Sequence, residues 1–140
     1  MKKTCSIFIW ILLCIGFKTV SSQQYNFTYF SIEQGLSQSQ VNAIIQDSYG
    51  YLWIATEGGG VNRFDGRNFI NFSVPEGLSS GHAKAIIEDQ HGNIWVGLKN
   101  NFVSCILGSR IINYDQAFPG VSVNAFTRNA NGIYIGATNG

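Results

Sequence analysis

From Tyr25 onward, short apolar and aromatic runs alternate with clusters of polar and turn-forming residues. The runs are four to six residues long, rich in Ile, Val, Phe and Trp, and none carries a helical 3.6-residue stripe; they read as short strands. Phe69 to Phe72 is one such run, Ala83 to Glu88 a second, Ile94 to Leu98 a third and Phe102 to Ile106 a fourth. Between the second and third, Asp89-Gln90-His91-Gly92 has turn chemistry, with an aspartate able to bond its own backbone and a glycine free to take positive φ. Leu107-Gly108-Ser109 turns the chain again before Ile111.

The pattern repeats. Gly50 and Trp53 return as Gly92 and Trp95, both 42 positions later, and Gly92 returns as Gly132 after 40. Gly35-Leu36-Ser37 comes back as Gly77-Leu78-Ser79, and Ala43-Ile44-Ile45 as Ala85-Ile86-Ile87. Phe27 to Phe30 precedes Phe69 to Phe72 by 42, which sets repeat frames starting at about 27, 69 and 111. Four short strands in about 42 residues are the blade of a β-propeller. The expectation is therefore an all-β chain of four-stranded antiparallel blades. About two and a half of them fall within residues 23–140. Propellers close with four to eight blades, so these residues are expected to be the N-terminal fragment of a larger propeller.

The first 22 residues have a different pattern: Lys2 and Lys3, an apolar core from Ile7 to Phe17, then Val20-Ser21-Ser22. That is the layout of a cleaved signal peptide, too short in its apolar part to span a bilayer, and it predicts an exported, periplasmic protein beginning at Gln23. Lys2, Lys3 and Lys18 would leave with the leader, so six basic groups face eight acidic ones in the 118 residues that remain. A net charge near −2 gives nucleic acid or an anionic membrane no electrostatic hold. Only Cys105 would survive cleavage, which allows no internal disulfide, and no Cys/His set has metal-ligand spacing. Cys105 replaces Arg63 of the preceding copy and reads as a packed thiol.

The first copy resembles the two-component regulator propeller repeat. The matching residues are Gly35-Leu36-Ser37, Val41, Ile44, Gln46-Asp47, Gly50, Leu52 to Thr56, and Gly58-Gly59-Gly60-Val61 with Arg63-Phe64-Asp65-Gly66. The second keeps Ile86, Asp89, Gly92, Ile94 to Gly97 and Gly108, and the third keeps Asn129, Gly132, Tyr134 and Gly136. The resemblance implies the periplasmic sensor region of a long membrane receptor, often a hybrid histidine kinase that detects oligosaccharides. The implied partners are the remaining blades and downstream receptor modules, with the intact receptor dimeric in the inner membrane. A diguanylate cyclase output, or a secreted propeller lyase or glycan hydrolase, are the alternatives. No kinase phospho-accepting motif and no P-loop occur here; Gly58-Gly59-Gly60 reads as a turn.

The positions that recur from copy to copy point to architecture. Trp53, Trp95 and Tyr134 share one repeat position and are expected to pack between blades. Asp47, Asp89 and Asn129, each followed by Gly50, Gly92 and Gly132, are expected to form turns. No catalytic set and no cofactor site can be assembled from such residues, so the chain itself is not expected to be an enzyme. Successive connections of an up-and-down blade alternate between its two ends. The end opposite the Asp-x-x-Gly turns carries the longer loops, where recognition usually sits. Glu57, His82 and Lys99 lie at that end and differ between copies, which makes them the candidate ligand-binding residues.

Overall fold

The computed structural model describes residues 24–100, 102–114 and 121–139, and the leader predicted over 1–22 lies outside them. Among the described residues, ten strands follow a short 3-10 turn at Ile32–Gln34. The first four are β1 (Val41–Gln46), β2 (Leu52–Thr56), β3 (Gly60–Phe64) and β4 (Phe69–Phe72), paired in sequence order as an antiparallel sheet. The next four, β5 (Ala83–Glu88), β6 (Ile94–Leu98), β7 (Val103–Leu107) and β8 (Arg110–Tyr114), build a second sheet in the same way. A two-stranded sheet of β9 (Val121–Asn129) and β10 (Gly132–Asn139) follows.

The strands fall where the apolar pattern places them, but the blade boundaries do not coincide with repeat frames at 27, 69 and 111. Phe69–Phe72 closes the first sheet as its fourth strand, rather than opening the second. A sequence period fixes the spacing of strands and leaves open which four of them pair. The equivalent residues 27–30 form no strand, and Phe27 is 93% exposed. A strand needs a neighbour to pair with, and this segment forms a ladder with no described strand. Phe30 instead sets its ring against Phe64 and Phe69, with centroids 4.7 and 6.0 Å away.

All three sheets carry the same irregularity. The register slips between Val41 and Ala43, between Ala83 and Ala85, and opposite Gly136/Ala137, leaving Asn42, Lys84 and Asn124 outside the ladder. A bulge of this kind turns one side chain sideways out of the pleat. The slip also aligns Tyr134 with Trp95, because Gly97 and Gly136 hold the same register position, opposite Ala85 and Ala125. The β9–β10 turn is one residue shorter, so Tyr134 follows Trp95 by 39 positions while Asn129 follows Asp89 by 40.

The core lies in the seam between the first two sheets. Trp53, Val61 and Phe72 on one side meet Ile94, Val96 and Leu98 on the other. Each such side chain contributes roughly 1.5–3 kcal/mol when taken fully out of water. At the second seam the sheets come close enough that a side chain on Gly97 would strike Val123 at 2.6 Å. On the far side of β1 no sheet lies among the described residues, so Ile44 is exposed where its counterpart Ile86 is buried.

Candidate functional site

The Asp-x-x-Gly end is built for architecture. Asp47 Oδ1 accepts the amides of Tyr49 and Tyr51, and its Oδ2 accepts the Trp53 indole N–H at 2.7 Å. Asp89 repeats this with the amides of His91 and Asn93 and with the Trp95 indole at 3.0 Å. Burial pushes the Asp89 carboxyl up, but the bonds from Trp95, Asn93 and His91 outweigh it and hold it below the ordinary aspartate range. In the third sheet Asn129 accepts the Asn131 amide and gives its own N–H to the Tyr134 hydroxyl. These turns do what the sequence predicts; the carboxylate-to-indole bond is an addition. Sequence reasoning misses it because the indole six residues on must curl back over the turn.

The aromatic position grades with its surroundings. Trp53 is 3% exposed within the first seam and lies 5.3 Å from Phe72. Trp95 is half-buried and stacks on Tyr114 at 5.3 Å. Tyr134 is 50% exposed, contrary to the expectation of packing between blades, since no described sheet follows β9–β10. Cys105 is a packed thiol as expected; burial, with the charge of Asp89, pushes it up to about 11, so it is neutral at ordinary pH.

At the opposite end the fold brings the three candidate residues together. Glu57 follows β2 directly and forms an isolated bridge with His82, which precedes β5 in the next sheet. The His82 Nδ1 lies 2.8 Å from Glu57 Oε1. The second carboxylate oxygen accepts from Asn42 Nδ2 at 2.9 Å, and the same amide group donates to the Ala83 carbonyl at 2.8 Å. Lys99 joins through its backbone, its amide donating to the His82 carbonyl at 2.9 Å. Nearby, Gly81 O accepts the amides of Gly58 and Gly60. The Asn42 bond lowers the Glu57 carboxyl most, followed by the His82 bond, with the charges of His82 and Lys99 adding to it against a small opposing cost of burial.

The result is an ionised carboxylate, an imidazole and an ammonium on one rim of a seam, with Glu57 and His82 both partly exposed. Such a rim can hold a polyhydroxylated or zwitterionic ligand by charge-assisted hydrogen bonds. Each Glu57 oxygen has one partner, so the carboxylate orients Asn42 and His82 and keeps acceptor capacity for a ligand. Asn42 escapes the sequence reading because only the bulge aims it at Glu57. Its one signal is the Asn/Lys/Asn variation among the bulged positions 42, 84 and 124. Among the described residues no group of three or more His, Cys, Asp or Glu side chains could hold a metal ion.

Comparison with known proteins gives the architecture its class. Residues 35–58 and 77–100 match the two component regulator propeller. Both segments run from the loop before the first strand of a sheet to the turn after its second. The extracellular domain of BT4673 from B. thetaiotaomicron, assigned to a hybrid two component system, shares the fold. It superposes with a TM-score of 0.67 at 25% identity, covering 86% of this chain. This chain spans only 17% of that one. A second structure of the BT4673 extracellular domain, assigned there to a one component system, gives a TM-score of 0.44 at 23% identity, covering 72% of this chain and 22% of that one. No curated protein matches the sequence.

Proposed function

We propose that this chain is the N-terminal part of an exported, ligand-sensing propeller in a transmembrane two-component receptor, read out by a kinase module elsewhere in the parent protein. The observation that carries the reading is the likeness to an extracellular domain of a hybrid two component system over 86% of the chain. The leader pattern of residues 1–22 is in keeping with it, with a mature terminus at Gln23 and a periplasmic position. The ligand is a soluble oligosaccharide or similar polar molecule, held at the rim formed by Glu57, His82 and Lys99 and left chemically unchanged.

A secreted lyase or glycan hydrolase is the competing reading, favoured by one observation, the imidazole-carboxylate contact at 2.8 Å. Calorimetry of the complete extracellular region with glycan fragments, followed by product analysis, separates the two. Binding with the ligand recovered intact is expected. Product formation that disappears in Glu57→Gln would transfer the site to catalysis.

A further inference from the structure

At the Asp-x-x-Gly end, the first seam opens into a cleft of about 380 Å³. Tyr49, Tyr51 and Arg63 line one wall, and His91, Asn93 and Leu107 line the other. Both walls belong to complete four-stranded sheets. In this respect it differs from the cavity of about 340 Å³ beside Trp95, whose second wall is the two-stranded β9–β10 sheet.

Arg63 sits on β3, opposite Trp53 on one neighbouring strand and Ile70 on the other. Its guanidinium carbon lies 4.8 Å from the Tyr51 ring centre and 5.8 Å from that of Trp53, so two aromatic faces fix its plane. Among the described residues no carboxylate or carbonyl oxygen takes a hydrogen bond or ion pair from it. Asp47, the acidic group on its own wall, has both oxygens committed to the Trp53 indole and to the amides of Tyr49 and Tyr51. No buried side-chain nitrogen among the described residues lacks a partner, so the unpaired guanidinium nitrogens must be reached by solvent. The half-buried fork is thus oriented, unsatisfied and open.

We propose that this cleft binds a small organic anion, with a carboxylate or sulfate group paired to Arg63 and an attached ring laid on Tyr49. A guanidinium suits such a group because its planar donors match two oxygens at once. Tyr49 is 77% exposed, and its ring borders Gly92, where a side chain would meet Tyr49 Cε2 at 3.5 Å. That leaves ring surface for a sugar or an aromatic nucleus to stack on. The second seam lacks the device, because Cys105 stands in the place of Arg63 and is buried. The cleft lies at the other end of the sheets from Glu57, and its occupancy does not depend on the sensing role of that rim.

The test is calorimetry on the full chain with glucuronate and with benzoate, each against its neutral counterpart, glucose and benzamide, and with inorganic sulfate. At least one ring-bearing anion is expected to bind about tenfold or more tighter than its neutral counterpart, as a hydrogen-bonded charge provides. The preferred anion identifies the ring as sugar or aromatic. Arg63→Met is expected to erase the preference, and Tyr49→Ala to weaken the ring-bearing anion without altering the fold. Should Arg63→Met fail to fold, Arg63→Lys decides: it keeps the charge and loses the fork, so a substantial loss of affinity is expected. Equal binding of acid and neutral ligands, sulfate binding as tightly as the ring-bearing anion, or undiminished affinity in the folded Arg63 variants would each overturn the proposal.

Discussion

At Asp89 one carboxylate closes a turn and holds an indole, and its protonation touches both tasks. The carboxyl is lowered from its ordinary 3.8 by bonds that favour the charged form. Its contribution is therefore complete above that value and is lost as pH falls through the lower value of the folded state. Thermal melts from about pH 5 to pH 2 should show an acid-side loss of stability that Asp89→Asn diminishes; an unchanged acid limb in the variant would contradict the assignment. Trp53 carries the packing side of the same motif. Truncation to alanine removes a side chain that is 3% exposed and leaves a cavity in the first seam. Urea unfolding should report a cost of about 3–5 kcal/mol. A much smaller cost would mean that the seam collapses around the loss. The turn aspartates and the packing role of Trp53 could be read from repetition alone. The hydrogen bond between them could not, because spacing says nothing of which way a side chain curls.

At the Asp-x-x-Gly end, side chains of each later sheet reach back across the seam to the sheet before it. Glu88 Oε1 accepts the Ser48 amide at 2.9 Å and its hydroxyl at 2.6 Å, so the second sheet grips the turn of the first. Arg128, in the equivalent position of the third sheet, donates to the Glu88 carbonyl at 2.8 Å. Glu88→Ala strips the first grip and leaves Ser48 to water. Hydrogen bonds to a buried charge suggest a loss of roughly 1.5–3 kcal/mol. A fall in denaturation midpoint with an unchanged m-value is the expected signature, and an unchanged midpoint would show the grip to be idle. The strand runs and their turns were legible because period and turn chemistry are local properties. The blade boundary was not, since Phe69–Phe72 has the same pattern whichever sheet it joins. Its pairing with β3 is decided by the tight Asp65 to Asn68 connection, where Asp65 accepts the amides of Arg67 and Asn68.

For the whole molecule, the seam rim is where repetition stops and individual chemistry starts. Glu57, His82 and Lys99 could be singled out because the copies differ there, and the fold gathers them through the backbone bonds that register the sheets. Asn42 and the bulge that aims it were hidden, because a one-residue register slip leaves no trace in composition. The segment around Phe27 also belongs to this scale. Its aromatic side chains have the pattern of a strand, yet it pairs with no described sheet. Whether the rim is the recognition face is decided by hydrogen exchange on the complete extracellular region, with and without a neutral oligosaccharide that binds it. Slowed exchange is predicted at the amides of Glu57 and His82 and in the loops beside them, while the Asp47 to Gly50 and Asp89 to Gly92 turns stay unchanged. Bound ligand with no protection at that rim, or with protection confined to the turn end, would contradict it.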